Sequence, residues 1–281
     1  MLAYPVSDKP INYDNKVFIQ PKLDGVRCVI QYERRVQPRE DVVVAYSRTG
    51  KEWKNIDHIL ADLVPFFQKH PNVILDGELY NHDLKDDFEK IISLVRKTKP
   101  TDEDRVESAE MVQFHCYDVM LEREEIDFDT RNNWLKNCLT TSYCIKHVTT
   151  DRCHTEIAAK VFHQDNLELG YEGSIVRLNY RYENKRSHNL RKFKDFHDDE
   201  AMILDWVEGK GKRVGTIGKF MAQDSEGNIF GMPVMDNFKY LQDNFEEMKT
   251  WVGKLATFTY FERTNANSYR HPLFKCIRDY E

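Results

Sequence analysis

The chain has 281 residues, of which 41% are hydrophobic and 12% aromatic, so it can bury the core of two domains or of one large one. No stretch approaches the roughly 18 apolar residues of a membrane span, and the first residues lack a secretory signal, so we expect a cytoplasmic protein with no membrane partner. The net charge of -6 does not exclude a nucleic-acid partner, because binding depends on the arrangement of charge, and basic residues gather at 48–54, 181–194 and 210–213.

Short β-rich runs alternate with helical patterns over the first two thirds of the chain. Period-2 and β-branched patterns predict strands at Val26–Tyr32, Val42–Tyr46, Val73–Leu75, Met111–Val119 and Gly173–Leu178. Apolar residues at helical spacing predict helices at Ile56–Gln68, Asp86–Leu94, Thr130–Leu139 and Glu156–Asn166. This part of the chain is therefore predicted to be of mixed α and β structure.

The pattern changes after the charged run at 194–200. Four short strands are predicted at Met202–Val207, Thr216–Ala222, Asn228–Val234 and Leu255–Phe261, with one helical stretch near Leu241–Trp251. Short strands, Gly-rich turns and a single helix fit a small Greek-key barrel such as an OB-fold. We therefore predict two domains, residues 1–198 and 199–281.

Lys22 opens the hexapeptide KLDGVR, which stands directly before the first predicted strand. A lysine amine becomes a nucleophile at neutral pH only when its proton is removed or its cation is disfavoured, and neighbouring positive charge such as Arg27 has that effect. Gly25 lets the backbone turn closely around a ligand. Taken alone, the segment is typical of a surface turn.

The hexapeptide resembles the nucleotide-accepting motif K-x-D-G-x-R of polynucleotide ligases and mRNA capping enzymes. Six further elements resemble the other motifs of that superfamily in their usual order: SRTG at 47–50, DGE at 76–78, MVQFHCYDVM at 111–120, EGSIVR at 172–177, KFK at 192–194, and RHPLF at 270–274 followed by Arg278. The last element and the turn GKGKRVGTIG at 209–218 favour ATP-dependent DNA ligases, in a compact form similar to viral and phage enzymes. The resemblance implies an α+β fold, with a nucleotidyltransferase domain of antiparallel sheets and flanking helices before a small OB-fold β-barrel.

The resemblance also implies a role for each motif residue. Lys22 would carry AMP, and Tyr117 would stack on adenine. Glu172 would hold Mg²⁺, and Glu78 would contact Mg²⁺ or the ribose. Lys192 and Lys194, which would point to the same side of a strand, would stabilise charge on the α-phosphate. The remaining expected residues are Gln20, Arg27 and Arg48 around the nucleotide or a DNA phosphate, and Arg270 or Arg278 for the pyrophosphate.

The implied reaction seals 5′-phosphate/3′-hydroxyl nicks in duplex DNA by way of lysyl-AMP and a DNA-adenylate, with a monomeric enzyme. The segment Glu208–Gly215 leaves no room for a long DNA-clamping insertion, and no separate N-terminal DNA-binding domain is expected, so we predict weak and salt-dependent nick binding. Three alternatives stay open. They are an mRNA capping guanylyltransferase, an RNA ligase, and a non-catalytic OB-fold protein that binds nucleic acid.

Overall fold

The computed structural model describes residues 1–36, 39–85, 87–121, 125–194, 196–263 and 267–278. The chain folds into two compact units, Met1–Phe193 and Lys194–Glu281. The fold class is the predicted mixture of α and β structure. No helix among these residues has both the length and the apolar character needed to cross a bilayer.

The first unit contains ten strands and five α-helices among its described residues. The strands are β1 (Leu2–Pro5), β2 (Val17–Pro21), β3 (Val26–Val36), β4 (Arg39–Tyr46), β5 (Ile74–Tyr80), β6 (Gln113–Met120), β7 (Ile145–His147), β8 (Asp151–Cys153), β9 (Ser174–Leu178) and β10 (Arg186–Phe193). The helices are α1 (Asp57–Lys69), α2 (Phe88–Val95), α3 (Asp102–Met111), α4 (Phe128–Cys138) and α5 (Glu156–Glu168).

These strands form two five-stranded sheets, ordered β1-β10-β9-β2-β8 and β4-β3-β5-β6-β7. Pairing is antiparallel as predicted, except that β1–β10 and β6–β7 are parallel. The larger core packs α1, α2 and the second sheet around the buried residues Ile30, Leu63, Phe67, Leu75 and Phe114. In both sheets, strands from distant parts of the sequence therefore lie side by side, and so do the residues at their ends.

Helices α1 and α3 show where helical spacing of apolar residues predicts a helix and where it does not. Its buried residues Ile59, Leu63, Phe66 and Phe67 recur at helical spacing and cover one face. Helix α3 was not predicted, because its sequence is acidic and only Ser108 among its residues is buried. Its start is instead fixed by a capping box between Thr101 and Asp104. Asp86, the predicted start of α2, lies outside the described residues.

The second unit is built on one five-stranded antiparallel sheet. The described strands of the unit are β11 (His197–Glu208), β12 (Ile217–Gln223), β13 (Ile229–Pro233), β14 (Leu255–Tyr260), β15 (Glu262–Arg263), β16 (Tyr269–Arg270) and β17 (Leu273–Ile277). The sheet order is β13-β12-β11-β14-β17, and β15 pairs with β16. The edge strands β13 and β17 approach each other, but no described pairing closes the sheet into the predicted barrel.

The core of this sheet contains Phe220, Met232 and Phe258, all fully buried. The four predicted strands are confirmed as β11 to β14, whereas β17 was not predicted. The single predicted helix near 241–251 is two short helices, α6 (Phe238–Asp243) and α7 (Phe245–Lys249). Asn244 separates them, and Asn interrupts helices readily because its side chain competes for backbone hydrogen bonds.

Candidate active site

Strand pairing brings Lys22 and Glu172 together. Lys22 follows the end of β2, and Glu172 precedes β9, where Ser174 pairs with Pro21. The Lys22 N–H donates to the Gly173 carbonyl oxygen at 2.9 Å, and the Glu172 N–H donates to the Lys22 carbonyl oxygen at 3.2 Å. The Lys22 ammonium and the Glu172 carboxylate form an ion pair, with side chains 21% and 5% exposed. A nearly buried carboxylate thus holds an amine that solvent can reach.

Glu78 lies near the same lysine, whose charge acts on it. It stands on β5 opposite Arg27 of β3. Burial raises the pKa of Glu78 to about 8, against the opposing effect of the Lys22 charge. Gly25 is required here because a Cβ would collide with the Glu78 side chain and with the Leu79 carbonyl oxygen. The close approach of β5 to the lysine loop therefore depends on glycine.

The two carboxyl groups near Lys22 suit a divalent cation that arrives with a nucleotide. Among the described residues, no group of three or more His, Cys, Asp and Glu side chains is arranged to hold a metal by itself. Mg²⁺ usually takes only one or two protein carboxylates and keeps water and substrate phosphates as its other ligands. Glu78 and Glu172 offer that number of oxygen donors, and a bound cation would favour the ionised form of Glu78.

In the metal-free protein, Glu78 is expected to make the free energy of unfolding fall as the pH rises. Between its ordinary pKa of 4.5 and its folded-state pKa of about 8, the folded chain holds a proton that the unfolded chain has lost. The unfolding free energy of wild type minus that of Glu78→Gln should be flat below the lower value and then decrease, by at most about 1.4 kcal/mol per pH unit. Urea unfolding in EDTA across this range measures the difference, and a rise with pH would contradict the assignment.

Tyr117 forms an aromatic wall close to the lysine. The ring is partly buried in a small apolar cluster that also contains Leu23, the residue after Lys22, together with Tyr80 and Val148. The Arg177 guanidinium lies 5.3 Å from the ring centroid. The predicted stacking residue therefore stands beside the predicted nucleophile.

Gln20 is buried and links β2 to β6. Its side-chain amide nitrogen donates to the Tyr117 carbonyl oxygen at 3.2 Å and to the Thr150 hydroxyl at 2.8 Å. Its amide oxygen accepts from Arg177 Nε at 2.5 Å. The Gln20 side chain, which was expected at the nucleotide, is thus engaged with protein groups and acts as a link that fixes the end of β2.

Arg27 is held by the aspartate of the DGE element. Its Nε and Nη2 atoms donate to the two Asp76 carboxylate oxygens at 2.9 and 3.0 Å. Burial acts to lower the pKa of Arg27, but the Asp76 carboxylate together with Tyr117 and Tyr182 raises that pKa overall. The hydroxyls of Tyr182 and Tyr117 also donate to Asp76, at 2.7 and 3.3 Å. Asp76 therefore fixes both Arg27 and the Tyr117 wall.

A second buried aspartate, Asp118, holds two arginines. Arg131 binds it through two nitrogens at 2.9 and 3.1 Å, and Arg177 donates to it at 2.8 Å. All three residues are less than 5% exposed. No site role was predicted for Asp76, Asp118, Arg131 or Arg177. Three of these lie inside the recognised motifs and had a signal, whereas Arg131 looked like an ordinary helical residue.

Lys192 is close to Lys22, but Lys194 does not share its strand. Lys192 lies on β10 opposite Ile175, which in turn pairs with Gln20. Burial, the Lys22 charge and Arg186 lower the pKa of Lys192. The strand ends at Phe193, so the prediction that both lysines lie on one strand is wrong.

The remaining predicted residues lie in other surroundings. Lys194, Arg270 and Arg278 belong to the second unit. There the Lys194 ammonium lies 3.9 Å from the Phe261 ring centroid, and Arg278 pairs with Glu200. Arg48 is exposed in the turn after β4. The first unit therefore gathers Lys22, Glu78, Tyr117, Glu172 and Lys192 by itself, with Gln20 and Arg27 supporting them.

The known proteins whose sequences resemble this chain are DNA ligases. Residues 1–194 match the family model for the ATP dependent DNA ligase domain. The DNA ligase of African swine fever virus (isolate Pig/Kenya/KEN-50/1950) is 29% identical over 210 residues, which cover 71% of this chain and 46% of the viral protein. The DNA ligase of Enterobacteria phage T6 is 27% identical over 246 residues, covering 73% and 50%. The chain thus spans about half the length of the curated relatives it matches.

Solved structures show the same fold. A Lig E DNA ligase superimposes with a TM-score of 0.74 at 24% identity, over 99% of this chain and 98% of that one. The ATP-dependent DNA ligase of bacteriophage T7, solved with ATP, gives a TM-score of 0.52 at 16% identity over 94% and 92%. The family model covers more than half of the chain, and the chain belongs to the family of ATP-dependent DNA ligases.

Proposed function

We propose that this chain seals nicks between a 5′-phosphate and a 3′-hydroxyl in duplex DNA, with AMP carried on Lys22. The observation that supports this most directly is the set of groups around that amine. Lys22 pairs with Glu172, and Glu78, Lys192 and the Tyr117 wall lie nearby. A nucleophile, two carboxyl groups, a second cation and a flat aromatic surface are what the transfer of an adenylate requires.

In the first step, Lys22 Nζ would attack the α-phosphorus of ATP, forming a P–N bond and breaking the bond to pyrophosphate. The amine must first lose a proton, which the solvent that reaches this side chain can take, and leave its ion pair. Glu172 cannot pair with the ammonium and bind another cation at the same time. Binding of the cation that arrives with the nucleotide to Glu172 would therefore free Nζ. Bound Mg²⁺, held by Glu172 and Glu78, would supply charge neutralisation at the phosphates.

Lys192 would stabilise negative charge on the transferring phosphate, because its ammonium is partly desolvated close to Lys22. Tyr117 would hold the adenine, and Gln20 would keep the lysine loop in place. AMP would then pass to the 5′-phosphate of the nick, and the 3′-hydroxyl would displace it. We assign adenylation to a domain at residues 1–198. Residues 199–281 would form an OB-fold domain. Arg270 and Arg278 would orient pyrophosphate only if the two domains close.

The test uses the wild-type protein as a monomer with Mg²⁺, a duplex carrying one 5′-phosphorylated nick, and either ATP or GTP labelled at the α-phosphate. We expect labelled protein and a full-length strand with ATP, and neither with GTP. Label transfer from GTP alone would identify a capping guanylyltransferase. Sealing of an RNA nick but not a DNA nick would identify an RNA ligase, and binding without labelling would leave a nucleic-acid-binding protein.

A further inference from the structure

Two motif cations of the second unit lie against one aromatic ring. The Lys194 ammonium lies 3.9 Å from the centroid of the Phe261 ring, and the Arg270 guanidinium carbon lies 6.0 Å from the same centroid. A cation within about 6 Å of a ring centroid is attracted by the negative charge of the ring face. The two cations come from elements that are far apart in the sequence, KFK and RHPLF, and their separation is no larger than the sum of these two distances.

The Phe261 ring is buried, but it lies outside the apolar core. The residue is 8% exposed, yet it does not belong to the described core cluster that contains Phe220, Met232 and Phe258. The exposed ring of Phe196 meets it edge-on, with the two ring centroids 6.4 Å apart. Aromatic rings usually contribute to stability by packing against other apolar groups. A buried ring that two cations approach, outside the core, therefore indicates a purpose beyond packing.

The backbone around Phe261 holds Arg270 in place. The Phe261 N–H donates to the Arg270 carbonyl oxygen at 3.0 Å, next to the pairing of β15 with β16. Tyr269, the residue before Arg270, is buried, and its hydroxyl donates to the buried Asp224 carboxylate at 2.8 Å. The same hydroxyl accepts from Arg263 at 2.6 Å. The strand that carries Arg270 is thus anchored within the second unit, so the ring and the guanidinium group start from fixed backbone positions.

An aromatic ring suits two cations that must later meet phosphates. Lysine and arginine side chains have many rotamers, and the loss of that freedom opposes binding unless the side chains are already held. Two positive charges also repel each other when they are brought close together. The negative face of a ring offsets both effects. Unlike a carboxylate, the ring does not neutralise the cations, so their charge still attracts phosphate oxygens.

We propose that Phe261 is a positioning residue for the adenylation step, holding Lys194 and Arg270 as a preformed pair of cations that receives the phosphates of ATP. This inference rests on the proposed function, which gives Lys194 its role at the α-phosphate and Arg270 its role at the pyrophosphate. Phe261 itself lies in none of the recognised motifs. Its contribution passes through the two cations, whose charge is needed where negative charge builds up on the phosphates.

The test compares wild type with Phe261→Leu, which keeps an apolar side chain but removes the ring, and with Phe261→Tyr, which restores a ring. The matched control is Phe245→Leu, because the Phe245 ring of the same unit also has a lysine ammonium, that of Lys249, 4.1 Å from its centroid. Single-turnover transfer of label from α-labelled ATP, over a range of ATP concentrations, separates the maximal rate from the half-saturating concentration. We expect Phe261→Leu to lower the maximal rate about tenfold and to raise the half-saturating concentration less than about threefold, because oriented cations act mainly on charge that develops in the transition state.

Phe261→Tyr and Phe245→Leu should both label within about twofold of wild type. Sealing of a nick that already carries AMP should fall less than about threefold in Phe261→Leu, because no pyrophosphate leaves in that step. Equal losses of labelling and of sealing in Phe261→Leu would assign the ring a purely structural role and overturn the proposal. An equal loss of labelling in Phe245→Leu, or undiminished labelling in Phe261→Leu, would overturn it as well.

A second measurement follows the contact itself, whether or not the protein is active. Reductive methylation with ¹³C-formaldehyde labels lysine amines and keeps their charge, and the Lys194 signal is identified by its absence in Lys194→Arg. The ring should shift that signal upfield in wild type, and the shift should disappear in Phe261→Leu but persist in Phe245→Leu. A wild type that takes label without this shift would refute the proposal alone. A wild type that shows the shift but takes no label would refute the proposed ligase function, and with it the role of Phe261 in adenylation, while the contact stands.

Discussion

Lys22→Arg is expected to lower label transfer from ATP by about a thousandfold or more while leaving the fold intact. Arginine keeps the positive charge that pairs with Glu172. Its guanidinium, however, does not deprotonate in proteins and offers no free amine to attack phosphorus. The ion pair and the backbone hydrogen bonds of Lys22 with Gly173 and Glu172 remain, so the thermal midpoint should change little. The measurement is incorporation of label from α-labelled ATP, with melting followed by circular dichroism.

The same variant should still seal a nick that already carries AMP on its 5′-phosphate, because the final displacement needs no lysine nucleophile. Lys192→Arg provides a matched control that keeps a cation at a position proposed only for charge stabilisation, and it should retain much more labelling. Undiminished labelling of Lys22→Arg would show that another group is the nucleophile. Failure on the adenylated nick as well would show that the substitution damages the site as a whole.

The strand and helix patterns predicted most of the fold because alternation and helical spacing follow burial. Helix α1 and strand β6 lie almost where their apolar residues placed them. Strand β2 was not predicted, although it carries Gln20 and leads into Lys22. Its residues Val17, Phe18 and Ile19 are all buried, so the segment shows no alternation. Helix α3 was missed for the opposite reason. It buries only Ser108, so its sequence shows no apolar spacing, and its start is defined by its capping box.

The motifs identified the candidate site better than any single residue type could have. Lys22, Glu78 and Glu172 are far apart in sequence, and only the pairing of β2 with β9 and of β3 with β5 brings them together. Sequence order alone could not distinguish groups that face a nucleotide from groups that hold the frame. Arg27 and Gln20 were expected at the nucleotide, yet buried protein groups engage both side chains. Such pairing depends on tertiary neighbours that no local pattern reveals.

A cavity beside the lysine site of the first unit, lined by Arg48, Lys51 and Arg96, shows the same limit for predicting basic surfaces. The basic run at 48–54 was visible in the sequence, but in the structure Lys54 is neutralised by Glu52. Arg96 joins the group from the end of α2, and nothing in its local sequence links it to Arg48. The packing of α2 against the turn after β4 decides which of these cations lack a counter-charge among the residues that the structure describes.

Asp118→Asn is expected to destabilise the first unit by about 3–5 kcal/mol, because it leaves two buried guanidinium groups without their counter-charge. Asp118 accepts hydrogen bonds from Arg131 and Arg177, and the side chains of these residues are at most 5% exposed. Asparagine keeps the shape but removes the charge and replaces one acceptor by a donor. Urea unfolding at neutral pH measures the change.

Asp129→Asn is the matched control, since the same substitution there weakens an exposed ion pair with Lys16, whose side chain is 46% exposed. Exposed pairs contribute roughly 0–1 kcal/mol, so the control should unfold almost as wild type does. Equal losses in the two variants would mean that the Asp118 pairs add nothing beyond a surface contact. The expected difference extends to the candidate active site, because Arg177 joins Asp118 to Gln20 and so to the strand that leads into Lys22. Labelling of Asp118→Asn at a temperature where it remains folded should therefore fall as well, whereas Asp129→Asn should label normally.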